Sequence, residues 1–291
     1  MHGIVLNLRI IAYKADKILS YEKKTKSGLL LEKVIEQLRE LFRSCVQDSR
    51  QEGDTSRKSS ILFLVNQLFK IYFKINQLHL CVPLIRTVEK FNIEENVTKA
   101  DHVTYLYFLG RKKILDGEFK GAVGCMAKAF VECDKSQFKN KQLILIYLIP
   151  LRILNGVMPS PVLLEKYKLT QFSSLVEAVC TGNIKLFTQT TNSQQIFFIR
   201  SGIFLLVEKL RMIAYRNLFK RVWLLLGTSM LPIDAFVAAL KLGDSEGEGA
   251  DSDQAHCIIA NLIHSDMVRG YISQQHQKVV VSKQNPFPSI V

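Results

Sequence analysis

The stretch Val268–Ser282, VRGYISQQHQKVVVS, decides the reading of the C-terminal third of this 291-residue chain. Up to about residue 243 apolar side chains recur at helical spacing, but here the period drops to two. Val268, Gly270 and Ile272 alternate with Arg269, Tyr271 and Ser273, the pattern of a strand with one buried face. Gln274–Gln277 reads as a polar turn, and Lys278–Ser282 as a β-branched run that completes a hairpin. Three helices precede it. Arg216–Leu226 ends at Gly227, Leu231-Pro232 opens a second through Phe236 and Leu240 to Gly243, and Gln254–His264 forms a third. Between the last two lies a Gly-rich excursion carrying Asp244, Glu246, Glu248, Asp251 and Asp253, a surface loop. Asn285-Pro286-Phe287-Pro288 closes the chain as an extended tail.

Three helices followed by a hairpin is the order of a winged helix. Upstream, the helices come in pairs. The spacing predicts a helix from Asp101, as N-cap, to Leu115, stopped by Gly117, and a partner over Glu118–Cys133. Leu109-Gly110, Gly117-x-Phe119-x-x-Ala122 and Ala129-Phe130 follow the tetratricopeptide plan. Small residues at Gly110, Ala122 and Ala129 allow close helix approach, although Lys113 and Met126 stand where aromatics are usual. Ser60–Ile75 ends at Asn76, and Gln77–Phe91 is its partner. Ser136–Leu154 carries a kinking Pro150. Ser160-Pro161 reads as an N-cap followed by proline at the first helical position, Gly182-Asn183 as a separator, and Ser193 as the start of a helix through Phe197, Ile203 and Leu206. The expected fold is therefore an all-α, TPR-like solenoid over 1–192, then a linking helix and winged helix over 193–291. Met1–Leu19 is amphipathic, with Ile4, Val5, Leu8, Ile11 and Ala15 on one side. A helix beginning in mid-stride implies a shortened form of a longer protein.

Composition narrows the function. The most apolar run, Leu143–Leu151, contains Pro150, stops at Arg152 and is far short of the roughly 20 residues a membrane span needs, so no membrane partner is expected. Six scattered cysteines without a C-x-x-C pair fit reduced thiols. His256, Cys257 and His264 share the third predicted helix, but the adjacent pair points to different faces, and no H-E-x-x-H is present. Gly247 and Gly249 lie among carboxylates with no Gly-Lys-Ser/Thr following, a poor phosphate cradle. No nucleophile elbow or cysteine-nucleophile signature occurs. The expectation is a protein that is not an enzyme, with no metal and no cofactor.

The net charge of +13 points instead to polyanions. Sequence-specific DNA reading does not fit, because Gln254–His264, in the recognition-helix position, contains no Lys or Arg and follows five acids. Basic residues lie around it. Lys209, Arg216, Lys220 and Arg221 fall at helix-compatible positions, and Arg269 and Lys278 lie in the hairpin. These six are the candidate nucleic-acid-binding residues, of the salt-dependent, phosphate-contacting type.

Helical repeats that run directly into a winged helix resemble the PCI domain, the module shared by subunits of the proteasome lid, the signalosome and translation-initiation factor three. Leu64-Val-Asn-Gln-Leu-Phe-Lys-Ile-Tyr-Phe-Lys74, Tyr215-Arg-Asn-Leu-Phe-Lys220, Ala260-Asn-Leu-Ile263, Gly270-Tyr-Ile-Ser273 and Val280-Val-Ser-Lys-Gln-Asn-Pro-Phe-Pro288 are very similar to the PCI subunits of the TREX-2 nuclear mRNA-export complex. The resemblance covers essentially the whole chain and implies a PCI module over about 100–284. It also implies a scaffold subunit in the nucleus, at the nuclear pore. The implied partners are a larger PCI-like export scaffold of the Sac/germinal-centre-associated type, a small acidic Sem/Dss protein, and RNA or DNA bound non-specifically. The alternative is a scaffold of a lid-like or signalosome-like assembly that binds protein only.

Overall fold

The computed structural model describes residues 2–21, 28–48, 57–91, 97–243 and 251–290. The chain divides into two compact units, Met1–Gln137 and Phe138–Val291. The expected change of motif at 192/193 falls inside the second of them.

The first unit contains α1 (His2–Tyr21), α2 (Leu29–Val46), α3 (Ile61–Ile75), α4 (Cys81–Lys90), α5 (Lys99–Leu115) and α6 (Phe119–Glu132). Its core centres on α3, whose Leu62, Leu64, Val65, Leu68 and Tyr72 are completely buried. Asn76, in the left-handed region at φ 58°, ends α3 as expected. The face of α1 differs from the sequence reading. Ile4 and Ile11 are 76% and 65% exposed, whereas Val5, Ala12 and Asp16 are buried. The reason lies at the start of α2, where Asp16 accepts the amides of Leu30 (3.0 Å) and Leu31 (2.9 Å). Seating that carboxylate over the open N-terminus of α2 rotates the Val5–Ala12–Asp16 stripe inward.

The α5/α6 pair follows the tetratricopeptide plan, with Ala122, Met126 and Ala129 fully buried. A Cβ at Gly110 would lie 2.9 Å from the Met126 methyl, so the missing side chain makes room for the methionine. The N-cap of α5 is Thr98, three residues before the predicted Asp101. The Thr98 hydroxyl accepts from the Asp101 amide and donates to its carboxylate.

The second unit opens with α7 (Phe138–Leu154), which retains Pro150 inside the helix, and α8 (Pro161–Lys166), capped by Ser160 as predicted. Then come α9 (Ser173–Thr181), α10 (Ile184–Ser193), α11 (Gln195–Ser201) and α12 (Phe204–Leu226). Ser193 ends α10 where a helix start was expected, and Gly202, at φ 71°, separates α11 from α12. Beyond α12 lie β1 (Met230–Pro232), α13 (Ile233–Gly243), α14 (Ser252–His264), β2 (Gly270–Ser273) and β3 (Lys278–Val281). The hairpin is present as expected, with Tyr271 opposite Val280 and Ile272 opposite Val279. The sheet nevertheless has three strands, in the order β1-β3-β2. Met230-Leu231-Pro232, read as the opening of a helix, pairs with β3 and places Leu231 opposite Val279. Both are buried, as are Phe219, Phe236, Ile259 and Leu262 in the same core. Most of the acidic excursion, 244–250, lies outside the described residues. Its Asp251 caps α14 by accepting from the Gln254 amide at 2.7 Å.

Candidate nucleic-acid and docking surface

Because α12 is one uninterrupted 23-residue helix, Lys209, Arg216, Lys220 and Arg221 all sit on a single rod. They do not form one surface. Lys209 and Arg221 are exposed and Lys220 is half-buried, but Arg216 is only 6% exposed. Its guanidinium donates to the Phe287 carbonyl (3.2 Å), the Pro288 carbonyl (2.5 Å) and the Asn217 side-chain oxygen (2.9 Å). In this conformation Arg216 holds the tail and does not face solvent. The helical periodicity of α12 was legible, but nothing in it shows that residues 287 and 288 return over that face.

The other two candidates flank the sheet. Side chains alternate along a strand, so the buried Val279 and Val281 face the core while Lys278 and Val280 face outward. The register places Met230 and Tyr271 on either side of Val280. Met230 is 61% and Tyr271 63% exposed, so an apolar row crosses the outer face of all three strands, with exposed Lys278 beside it. Arg269 is exposed immediately before β2, and its backbone ties the sheet to the tail, donating to the Pro286 carbonyl at 2.8 Å and accepting from Ser282 at 2.8 Å. Gly270 permits this layout, since a Cβ there would lie 2.3 Å from the Val280 carbonyl oxygen.

The structure thus brings Arg269 and Lys278 onto one sheet, sets Arg269 and Arg216 against the same tail, and leaves Lys209 two turns upstream of Arg216. Sequence reasoning missed Tyr271 as a surface residue with binding capacity. The available signal was its place among the outward positions of an alternating strand, where an aromatic ring has no core to fill. In α14 the buried positions are Ala255, Ile258, Ile259 and Leu262. The remaining positions carry no Lys or Arg, so this helix presents no cation to a phosphate backbone. Among the described residues, no group of three or more His, Cys, Asp or Glu side chains is arranged to hold a metal ion.

A helical array whose last long helix feeds a three-helix, three-strand winged module defines a protein of the PCI class, and the PCI domain family model matches residues 164–283. The match begins in α8, later than residue 100, and ends within one residue of the expected boundary. The chain is 51% identical over its whole length to PCI domain-containing protein 2 of Xenopus laevis and 49% identical to that of Danio rerio, spanning 72% of each relative. It is also 31% identical to Protein CSN12 homolog of Gibberella zeae, over 92% of this chain and 63% of that relative. The chain belongs to the PCI domain-containing protein 2 family.

Proposed function

We propose that this protein is a non-enzymatic scaffold subunit of a nuclear, transcription-coupled mRNA-export complex of the TREX-2 type. It docks a larger PCI-like scaffold and a small acidic Sem/Dss protein, and it contacts RNA or DNA without sequence preference. The observation that carries this reading is the outer face of the winged-helix sheet. There the exposed Tyr271, Met230 and Lys278 lie together with Arg269 at the strand entry. Cations beside an exposed aromatic ring suit a single-stranded ligand, because lysine and arginine neutralise phosphates while the ring stacks on any base. The arginine- and lysine-free α14 argues against base-edge reading in a major groove. The charge of +13 favours an acidic protein partner, since complementary potentials speed encounter and select among partners.

The second reading is a scaffold of a lid-like or signalosome-like assembly that binds protein only. It draws on the exposed apolar side chains Leu224, Leu225 and Met230 at the end of α12 and on β1, which suit a dry protein contact. RNA affinity measured across a salt series separates the two. A logarithmic fall with salt supports the export reading, and an absence of binding at low salt supports the protein-only scaffold.

A further inference from the structure

We propose that the tail Asn285–Ile290 is a strap that conceals an anion receptor, and that lifting it adds Arg216 to the nucleic-acid surface of the winged helix. This rests on the nucleic-acid reading above and extends it to a second, closed state. Three observations carry it. First, Arg216 is more than nine-tenths buried, yet all its bonded partners are neutral oxygens. Among the described residues no carboxylate pairs with it, and its Nε has no hydrogen-bond partner. A buried cation in that condition is incompletely compensated, and an oxyanion would satisfy the guanidinium better than two carbonyls do.

Second, the strap is held by isolated contacts and by the burial of Pro286 and Phe287, the latter seated in the winged-helix core, and not by a strand ladder. The Phe287 ring packs 5.7 Å from the Trp223 ring and 5.9 Å from the Arg216 guanidinium carbon. The Pro286 carbonyl takes the Arg269 amide, and farther along Ile290 lies against Gly156 in the turn after α7. The strap residues belong to no helix or strand, so lifting them breaks no ladder. Third, the place is right. The tail is anchored by the backbone of Arg269 on one side and by the side chain of Arg216 on the other, and Lys220 lies one turn along α12 from Arg216. Removal of the strap would open Arg216 beside the half-buried Lys220, on the tail that the backbone of the exposed Arg269 also holds. A phosphodiester oxygen, replacing the Phe287 and Pro288 carbonyls, is the ligand this geometry fits.

Trp223 is the chain's one tryptophan, so its emission reports the strap directly. The experiment compares the full chain with Phe287→Ala and with Pro288→Gly, which loosens the tail without deleting the Phe287 side chain. Each is tested with and without Arg216→Ala. Binding of a fluorescein-labelled oligouridylate is measured across a salt series alongside Trp223 emission. The expected result is a red shift of Trp223 in both loosened variants and severalfold tighter binding at low salt. The salt slope steepens by about 0.7, one added single-strand phosphate contact. The Arg216→Ala background abolishes that gain. Should the loosened variants show the red shift but bind no more tightly than the unaltered chain, the strap is overturned and the nucleic-acid reading stands. A gain that survives Arg216→Ala overturns it equally. Failure of every variant, the unaltered chain included, to bind at low salt removes both proposals together.

Discussion

At the scale of single residues, two glycines of opposite meaning test the packing. Gly182 ends α9 at φ 67°, and a Cβ there would lie 2.4 Å from the Leu218 amide nitrogen in α12. Both the left-handed backbone and the contact with immovable main chain oppose any side chain, so Gly182→Ala is expected to lower stability by about 2 kcal/mol or more. Gly124, inside α6, has open space where its Cβ would stand. Gly124→Ala is expected to raise stability by up to about 1 kcal/mol through helix propensity. Urea denaturation of the pair checks both, and equal effects would contradict the packing. A third residue-scale expectation concerns Cys81. Burial pushes its thiol up to about 12 from an ordinary 9.0. The folded protein therefore holds the proton that the unfolded chain releases, so this group's stabilising contribution is complete below about pH 9 and is lost as pH rises toward 12. Alkylation by iodoacetamide at pH 8 should label the exposed Cys257 and spare the buried Cys81.

At the scale of elements, the instructive case is a helix capped from another helix. Asp16 of α1 takes the first amides of α2, whose own flanking residue is Gly28 and offers no side-chain acceptor. Asp16→Ala leaves two donors at a buried helix end and is expected to cost about 2 kcal/mol. Asp16→Asn, which keeps one acceptor, should cost less. Amide exchange at Leu30 and Leu31 locates the effect, and a loss spread evenly over the unit would speak against the cap. By residue type Asp101 qualifies as the cap, but the actual cap, Thr98, is bonded to that same aspartate. Leu231-Pro232 is locally compatible with both the first turn of a helix and an edge strand. Pairing with β3, nearly fifty residues later, settles the choice. On the sheet, Tyr271→Ala should weaken oligouridylate binding while leaving the salt slope unchanged, because stacking releases no counterions.

At the scale of the whole molecule, charge and fold combine. Residues 1–150 hold 25 basic and 16 acidic side chains, so the positive excess is not confined to the winged helix. If the outer sheet face is the contact, reversing Arg269 and Lys278 to Glu should reduce RNA affinity at least tenfold. The slope should become shallower by about 1.4, two single-strand phosphates, while the thermal midpoint stays put because both side chains are exposed. Should the same reversal leave affinity intact, binding resides elsewhere on the chain, where most of the positive excess lies.

Periodicity alone determined the helical character of most of the chain, the switch to a period of two after Val268, and stops such as Asn76 and Gly227. These are local properties, set by which backbone angles a residue tolerates and by which side of a helix or strand is apolar. The third strand, the inward turn of Asp16 and the burial of Arg216 were decided only when distant segments met. Each depends on a hydrogen-bonding group finding its partner in another part of the fold. Arg216 shows the consequence most plainly: its charge was readable from the chain, but whether that charge faces solvent or the carbonyls of Phe287 and Pro288 is a property of the folded unit.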